Sequence, residues 1–407
     1  MFGEQNSIYN FSGAEGLMPK EETLEMIRKK SSIRIGILKE TSYQEKRIPL
    51  VPQAVGLLVA NGHEVLIESD AGKAAHFPND RYAEAGAHIV YSPAEVFQAE
   101  LILKIAPPSL EETDHFRSRQ TLISALHLTG QSGEYFRRLI NKRMTAIAYE
   151  YIMDKTGSFP IRRSISEIVG STSILIAAEY LASTTFGKGC MLGGFTGITP
   201  TEVLILGAGT VGEYAARTAL GLGANVRVFD NSVYRLRRMQ NSLNARIFTS
   251  VIDSQVLMRS LQAADVVIGA VHSGEGRTPV VVTEEMVSNM KKGSIIVDVS
   301  IDQGGCIETS HPTTHHDPVF KKYDVTHYCV PNIASIVPHT ASYALSNFFA
   351  PVLLQLGELG GLENLLKAEK GFRHGVYLLY GTVTKKVISD HFYLPFQDID
   401  LLMAAFR

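Results

Sequence analysis

Apolar residues along this chain come in short blocks rich in β-branched side chains, divided by longer stretches with a helical period. The blocks at 33–38 (IRIGIL), 63–69 (HEVLIES), 101–105 (LILKI), 121–126 (TLISAL) and 144–149 (MTAIAY) predict a first run of strands. A helix is expected over 52–62, where PQAVGLLVANG opens on proline and stops at glycine. A second run of strands follows at 203–206 (VLIL), 226–230 (VRVFD), 245–248 (ARIF), 265–271 (DVVIGAV), 294–300 (SIIVDVS) and 325–330 (VTHYCV). Near-continuous apolar strands suit a parallel sheet covered by helices on both faces. The stretches 164–183 and 339–360 predict two long helices, and the tail to Arg407 reads as amphipathic helix.

The junction after 203–206 carries the most specific signal. Gly207, Gly209 and Gly212 stand in G-x-G-x-x-G spacing where a strand must turn into a helix. The first glycine permits the tight turn, the second lets backbone approach a pyrophosphate, and the third lets helix pack on strand. The free N–H groups of that helix terminus favour a diphosphate. Asp230 ends the next strand, placed to accept from both ribose hydroxyls and to repel the extra phosphate of NADP. Arg235 and Arg237 on the following helix pull the other way, but the carboxylate makes NAD the expected cofactor. The expected fold is α/β, with two doubly wound, Rossmann-like domains joined by the two long helices and a cleft between them. The divisions are an N-terminal extension (1–31), a substrate domain (32–163), an NAD-binding domain (164–338), and a linking helix with a return to the substrate domain (339–407). Residues 21–30 can form one short helix, either a loosely ordered leader or a clasp onto another subunit.

Composition narrows the function classes. A chain of 407 residues with 45% hydrophobic and 20% charged residues suits a two-domain soluble enzyme. The net charge of −2, with no basic patch interleaved with aromatics, argues against nucleic acid. Cys190, Cys306 and Cys329 are too scattered for a disulfide framework or a metal site, so no metal and a reducing, cytoplasmic setting are expected. No basic-then-apolar leader and no membrane-length apolar run is evident, so no membrane association is expected.

Several residues at strand ends could carry chemistry. His127 follows TLISAL and could polarise a carbonyl or shuttle a proton, although a lone histidine there is more often a hydrogen-bonded core residue. Asp302, in IDQGG, could act as acid or base, its plain alternative being a turn former. Arg47 could clamp a carboxylate with its planar fork, or be a solvated surface residue. Lys104 could take a second carboxylate oxygen or merely cap its strand. Asn332 could hydrogen-bond the nicotinamide end of the cofactor or cap a turn.

Together these segments match a family. GILKE…RIPLVP, NGHEV, ALHL, AIAYE, GGFTGITP, VLILGAGTVG, VDVSIDQGGCIETSHPTTHHDPVF and HYCVPNIASIVPHTASYALSN resemble the alanine dehydrogenases. Those enzymes share a superfamily with the NAD-binding part of proton-translocating transhydrogenases and with lysine-forming saccharopine dehydrogenases. The resemblance runs from about Ile33 to the C-terminus. It implies that Arg47 and Lys104 bind substrate, and that His127 and Asp302 are the acid/base pair. It also implies that Ser166, Thr210, Val211, Asp230, Arg235, Val271, Ile301 and Asn332 contact NAD, and that the protein is a homo-oligomer, often a hexamer. Three positions depart from the pattern. KIAPP (104–108) places Ala106 where the family has its second, catalytic lysine, Ile165 replaces a methionine, and His311 replaces an arginine. Transhydrogenases also lack that lysine, but they lack the His127 motif that this chain keeps.

The expected activity is reversible NAD-dependent oxidative deamination of L-alanine to pyruvate and ammonium. A related amino-acid or opine dehydrogenase, or a catalytically weak NAD-binding regulatory protein, would each explain Ala106. A detached transhydrogenase subunit fits the IDQGG and PTTH loops less well.

Overall fold

Strand β1 (Arg34–Ile37) lies at the centre of the first sheet, with β2 (Glu64–Glu68) and β3 (His88–Val90) to one side. On its other side run β4 (Leu101–Leu103), β5 (Thr121–Ser124) and β6 (Thr145–Ala148). All six pair in parallel, in the order 3-2-1-4-5-6 of a doubly wound sheet. The molecule, described by a computed structural model over residues 31–405 apart from Tyr43, Gly274 and Glu275, repeats this order in a second sheet. There β7 (Glu202–Leu206) is flanked by β8 (Asn225–Phe229) and β9 (Phe248–Ser250) on one side. On the other stand β10 (Val266–Gly269), β11 (Ile295–Asp298) and, beyond β12 (Val319–Lys322) in sequence, β13 (Val325–Tyr328). Strand order reverses between β7 and β10, which opens a crevice at their carboxyl ends. The helix expected at 21–30 lies outside the described residues.

The helices that matter below are α1 (Pro52–Ala60), α2 (Leu110–His115), α3 (Pro160–Ala182), α4 (Thr210–Gly221), α5 (Val233–Leu243) and α6 (Pro338–Glu358). Proline opens α1, α3 and α6, where its missing N–H costs nothing. The two long helices belong to both lobes. Ile161 of α3 packs in the first core, whereas Val169, Ile174, Ala177 and Leu181 pack in the second. Helix α6 runs the opposite course, from Ala341 in the second core to Leu345, Phe349, Leu353 and Leu356 in the first.

Three points differ from the sequence reading. The tail is not all helix, because β14 (Val376–Leu379) and β15 (Thr382–Val383) add antiparallel strands beyond β6. The cause is a two-residue turn at Tyr380 (φ 51°) and Gly381 (φ 83°), both left-handed as a tight hairpin requires. The strand expected at 245–248 is β9, three residues later, because Asn244 ends α5 at φ 49° and the chain must first turn. Strands β3 and β12 were not foreseen, being short and polar-containing. Helix α3 is, by length and composition alone, apolar enough to span a membrane, with a mean hydropathy of 1.3, which does not contradict the expectation of no membrane association. Nearly half of that stretch is buried against α4 and α6, as befits the core helix of two lobes.

Candidate active site

Two features prepare the second lobe's crevice for a dinucleotide. Gly207 sits at φ 103°, and a Cβ there would strike the Ala270 carbonyl oxygen of the β10 loop. A Cβ on Gly212 would collide with the carbonyl oxygen of Gly207, so helix α4 can approach only without one. Gly209, the N-cap of α4, differs, since a Cβ there meets nothing within 4 Å. Its smallness serves no contact within the chain and leaves room in front of the helix terminus. Asp230 is buried at 7% exposure, its Oδ2 accepting from Ala208 N at 2.7 Å and its Oδ1 from Ser232 N at 2.7 Å. The carboxylate is thereby fixed against the glycine turn, with Arg235 at 3.9 Å. Thr210 and Val211 open α4, Val271 follows β10, and Ile301 is buried in the turn after β11. Ser166 lies half-buried on α3. The residues present therefore fit NAD.

The first lobe faces this crevice with a charged group built on segment 44–51. Arg47, 9% exposed at its side chain, is gripped by Glu45 through Nε (2.7 Å) and Nη2 (2.6 Å). Burial penalises both charges, yet their pairing wins. Glu45 is held below its ordinary pKa and Arg47 above its own. The same glutamate accepts from Asn332 Nδ2 at 2.9 Å, and Asn332 N donates to Asp302 Oδ1 at 3.1 Å. Arg47, Asp302 and Asn332 are thus joined across the two lobes by three hydrogen-bonded links. His127, at φ 44° after β5, senses both Arg47 and Glu45. His127 and Asp302 are open to solvent yet enclosed by protein on most sides, as residues lining a cleft are. Burial, and then Arg47, lower the His127 pKa from 6.5, so its neutral form is favoured. Burial raises that of Asp302, against the Asn332 N–H and Arg47.

Lys104, the other residue expected to contact substrate, is paired with carboxylates of its own rather than with Glu45 or Asp302. Its side chain is 1% exposed, and the ammonium lies 2.7 Å from Glu112 of α2 and 3.9 Å from Glu40. Glu112 also completes the capping box of α2 with Ser109. Glu40 accepts from Ile105 N (2.6 Å) and Ala106 N (3.4 Å), and burial, opposed by Lys104, pushes its pKa up to about 7. Lys104 is therefore held between two carboxylates, and Ala106 offers its backbone N–H to one of them.

Sequence reasoning overlooked Glu45, although the signal was present. In an extended segment, residues two apart share a side, which puts the Glu45 carboxylate beside the Arg47 guanidinium. It also overlooked Ser335, Ser342 and Ser346, whose hydroxyls accept from Lys46 N (2.8 Å), Ile48 N (2.9 Å) and Val51 N (3.1 Å). Ser342 and Ser346, four apart, make a polar stripe on the otherwise apolar α6, and Ser335 lies in the turn before it. Glu150 is a third omission. Its Oε1 accepts from Leu126 N at 2.7 Å, next to His127, and its buried Oε2 finds no hydrogen-bond partner among the described residues.

Comparison with known proteins agrees with this architecture. Residues 36–169 match the family description "Alanine dehydrogenase/PNT, N-terminal domain", and residues 173–386 match its C-terminal domain. The chain is 36% identical to an alanine dehydrogenase of Mycolicibacterium smegmatis over 91% of its own length and 100% of that protein's. It is 38% identical to one from Bacillus subtilis, over 87% and 93% of the two chains. A solved L-alanine dehydrogenase superposes with a TM-score of 0.83 at 35% identity, covering 89% of this chain and 99% of that one. A transhydrogenase from Sinorhizobium meliloti superposes with a TM-score of 0.72 at 25% identity, over 87% and 99%.

Proposed function

The chain belongs to the alanine dehydrogenase/PNT family, and from that premise we propose that it catalyses the reversible, NAD-dependent deamination of L-alanine to pyruvate and ammonium. The observation that carries the reading is the link Arg47–Glu45–Asn332–Asp302, which ties a carboxylate clamp on one lobe to the nicotinamide-side loop of the other. NAD, when bound, supplies the hydride acceptor. Gly207, Gly209, Thr210, Val211 and Gly212 would hold its diphosphate, and Asp230 with Arg235 its adenosine ribose. Ser166, Val271, Ile301 and Asn332 would line the remaining length.

Arg47 anchors the substrate carboxylate through the guanidinium donors that Glu45 leaves free. His127, neutral because its environment disfavours the imidazolium, accepts the proton released when water adds to the imine carbon. Asp302, on the opposite lobe, takes or returns the proton at the amino nitrogen. Holding both reactants in one cleft removes an entropic barrier commonly worth about 7–11 kcal/mol. Movement of the lobes about α3 and α6 would exclude water while hydride moves.

A homo-oligomer, by resemblance a hexamer, is part of the same reading. It is supported by exposed apolar side chains on and after α3, namely Leu175 (56% exposed), Met191 (69%) and Ile198 (65%). A cytoplasmic setting is supported by three cysteines that are all free thiols. A related amino-acid or opine-type dehydrogenase is the second reading, favoured by Ala106 and by the pairing of Lys104 with Glu112. An NADH-fluorescence screen across amino acids and 2-oxo acids tests both. Turnover greatest with L-alanine supports the first, turnover greatest with another amino acid replaces it, and NADH binding without turnover leaves a regulatory protein.

A further inference from the structure

Glu45 occupies an unusual place for a residue in a carboxylate-binding site. It is an internal carboxylate already seated on the guanidinium that the substrate needs. It takes the Nε and Nη2 donors of Arg47, and its Oε1 also accepts from Arg47 N at 3.0 Å. Asn332 Nδ2 holds Oε2 at 2.9 Å, while Ser335 Oγ approaches Oε1 at 3.4 Å. The side chain is only 5% exposed. Held by donors from both lobes, it is not a loose counter-ion that drifts away when a ligand arrives. Arg47 keeps its Nη1 donors for substrate, but the charge behind them is already balanced at 2.6 Å. Among the described residues the other buried lysine or arginine, Lys104, is likewise paired with Glu112, and Lys46 is exposed.

We propose that Glu45 is a specificity-determining residue that makes the Arg47 clamp selective for the net charge of its ligand, favouring the zwitterionic amino acid over the monoanionic 2-oxo acid. The proposal rests on the reading of Arg47 as the substrate clamp. Both ligands present the same carboxylate to the same donors, so hydrogen-bonding geometry at Arg47 does not tell them apart. Net charge does. An amino acid enters a balanced clamp with its own ammonium to offset its carboxylate. A 2-oxo acid brings an uncompensated negative charge into a desolvated site that already holds a carboxylate a few ångströms away. Glu45 therefore biases the cleft toward amino-acid capture and toward release of the oxo acid.

The test compares KM for pyruvate, at saturating NADH and ammonium, with KM for L-alanine at saturating NAD. In Glu45→Gln the shape and one acceptor remain but the charge is gone. The ratio KM(pyruvate)/KM(alanine) should fall by about tenfold or more, the scale expected for one charge removed from a semi-buried site. Glu45→Asp keeps the charge and should keep the wild-type ratio. A residue that merely shaped Arg47 would move both KM values together, and an unchanged ratio in Glu45→Gln would overturn the proposal. If Glu45→Gln does not fold, Asn332→Asp adds a charge at the same point and should raise the ratio; an unmoved ratio there overturns the proposal equally. Wild-type protein with no alanine turnover would overturn the functional reading and this proposal with it. Wild-type turnover with an unmoved ratio overturns the proposal alone.

Discussion

Replacing Lys104 with methionine separates a structural lysine from a substrate-binding one. The methionine keeps most of the apolar stem and removes the ammonium. In the structure that ammonium is 1% exposed and lies between Glu112 at 2.7 Å and Glu40 at 3.9 Å. Taking one partner from a buried ion pair leaves the other charge stranded, at a cost of roughly 3–5 kcal/mol. A lysine that touched the substrate carboxylate would instead be worth about 1.5–3 kcal/mol in the transition state, or roughly one to two powers of ten in kcat/KM. The assay is urea denaturation beside steady-state kinetics on the same preparation. The expected result is a large fall in stability with kcat/KM within about threefold of wild type. The double variant Lys104→Met/Glu112→Gln should recover part of the stability, because the closer carboxylate charge is then absent too and only Glu40 has lost its partner. Unchanged stability together with a tenfold or greater loss of kcat/KM would refute the assignment and return Lys104 to the substrate.

The other predictions follow from the same geometry. Gly209→Val should fold normally yet fail to bind NADH by calorimetry, since its Cβ meets only open space, whereas Gly212→Ala should lose stability through collision with Gly207. Asp230→Ala should narrow the preference for NAD over NADP, and equal kcat/KM for both cofactors in the wild type would contradict the role given to Asp230. His127→Ala or Asp302→Asn should lower turnover by a factor on the order of 10² with NADH binding intact; full activity in both would remove them from the chemistry. Because His127 is depressed below 6.5, alanine deamination should persist as pH falls through that value and be lost only below it. Glu40, raised from 4.5 to about 7, favours its protonated form on folding, so its contribution to stability is complete below 4.5 and lost as pH rises through 7. Denaturation of Glu40→Gln across that window should show a shallower decline than wild type.

The sequence was most readable where local rules and tertiary structure agree. The glycine turn, Asp230 and the parallel strands each follow from a short-range constraint on φ, packing or burial. The hairpin of β14 and β15 was missed because its strand VYLL is apolar throughout and lacks the period that separates strand from helix. The candidate site was half legible. His127, Asp302 and Asn332 could be named from loops after strands and Arg47 from its own segment, but not the carboxylate that joins Arg47 to Asn332. Glu45 and Asn332 are 287 residues apart, and their contact exists only once α6 brings the lobes together. The ion pair of Lys104 was not legible for a related reason. Glu112, which holds it, becomes its neighbour only when the capping box fixes the start of α2.

The central claim is that this cleft moves a hydride from the α-carbon of an amino acid to a bound nicotinamide. L-Alanine deuterated at Cα, incubated with the protein and NAD, tests it most directly by mass spectrometry of the NADH formed. One deuterium per NADH, with pyruvate and ammonium appearing in equal amounts, is the predicted result. NADH that binds tightly while no deuterium reaches the cofactor from L-alanine would contradict the account.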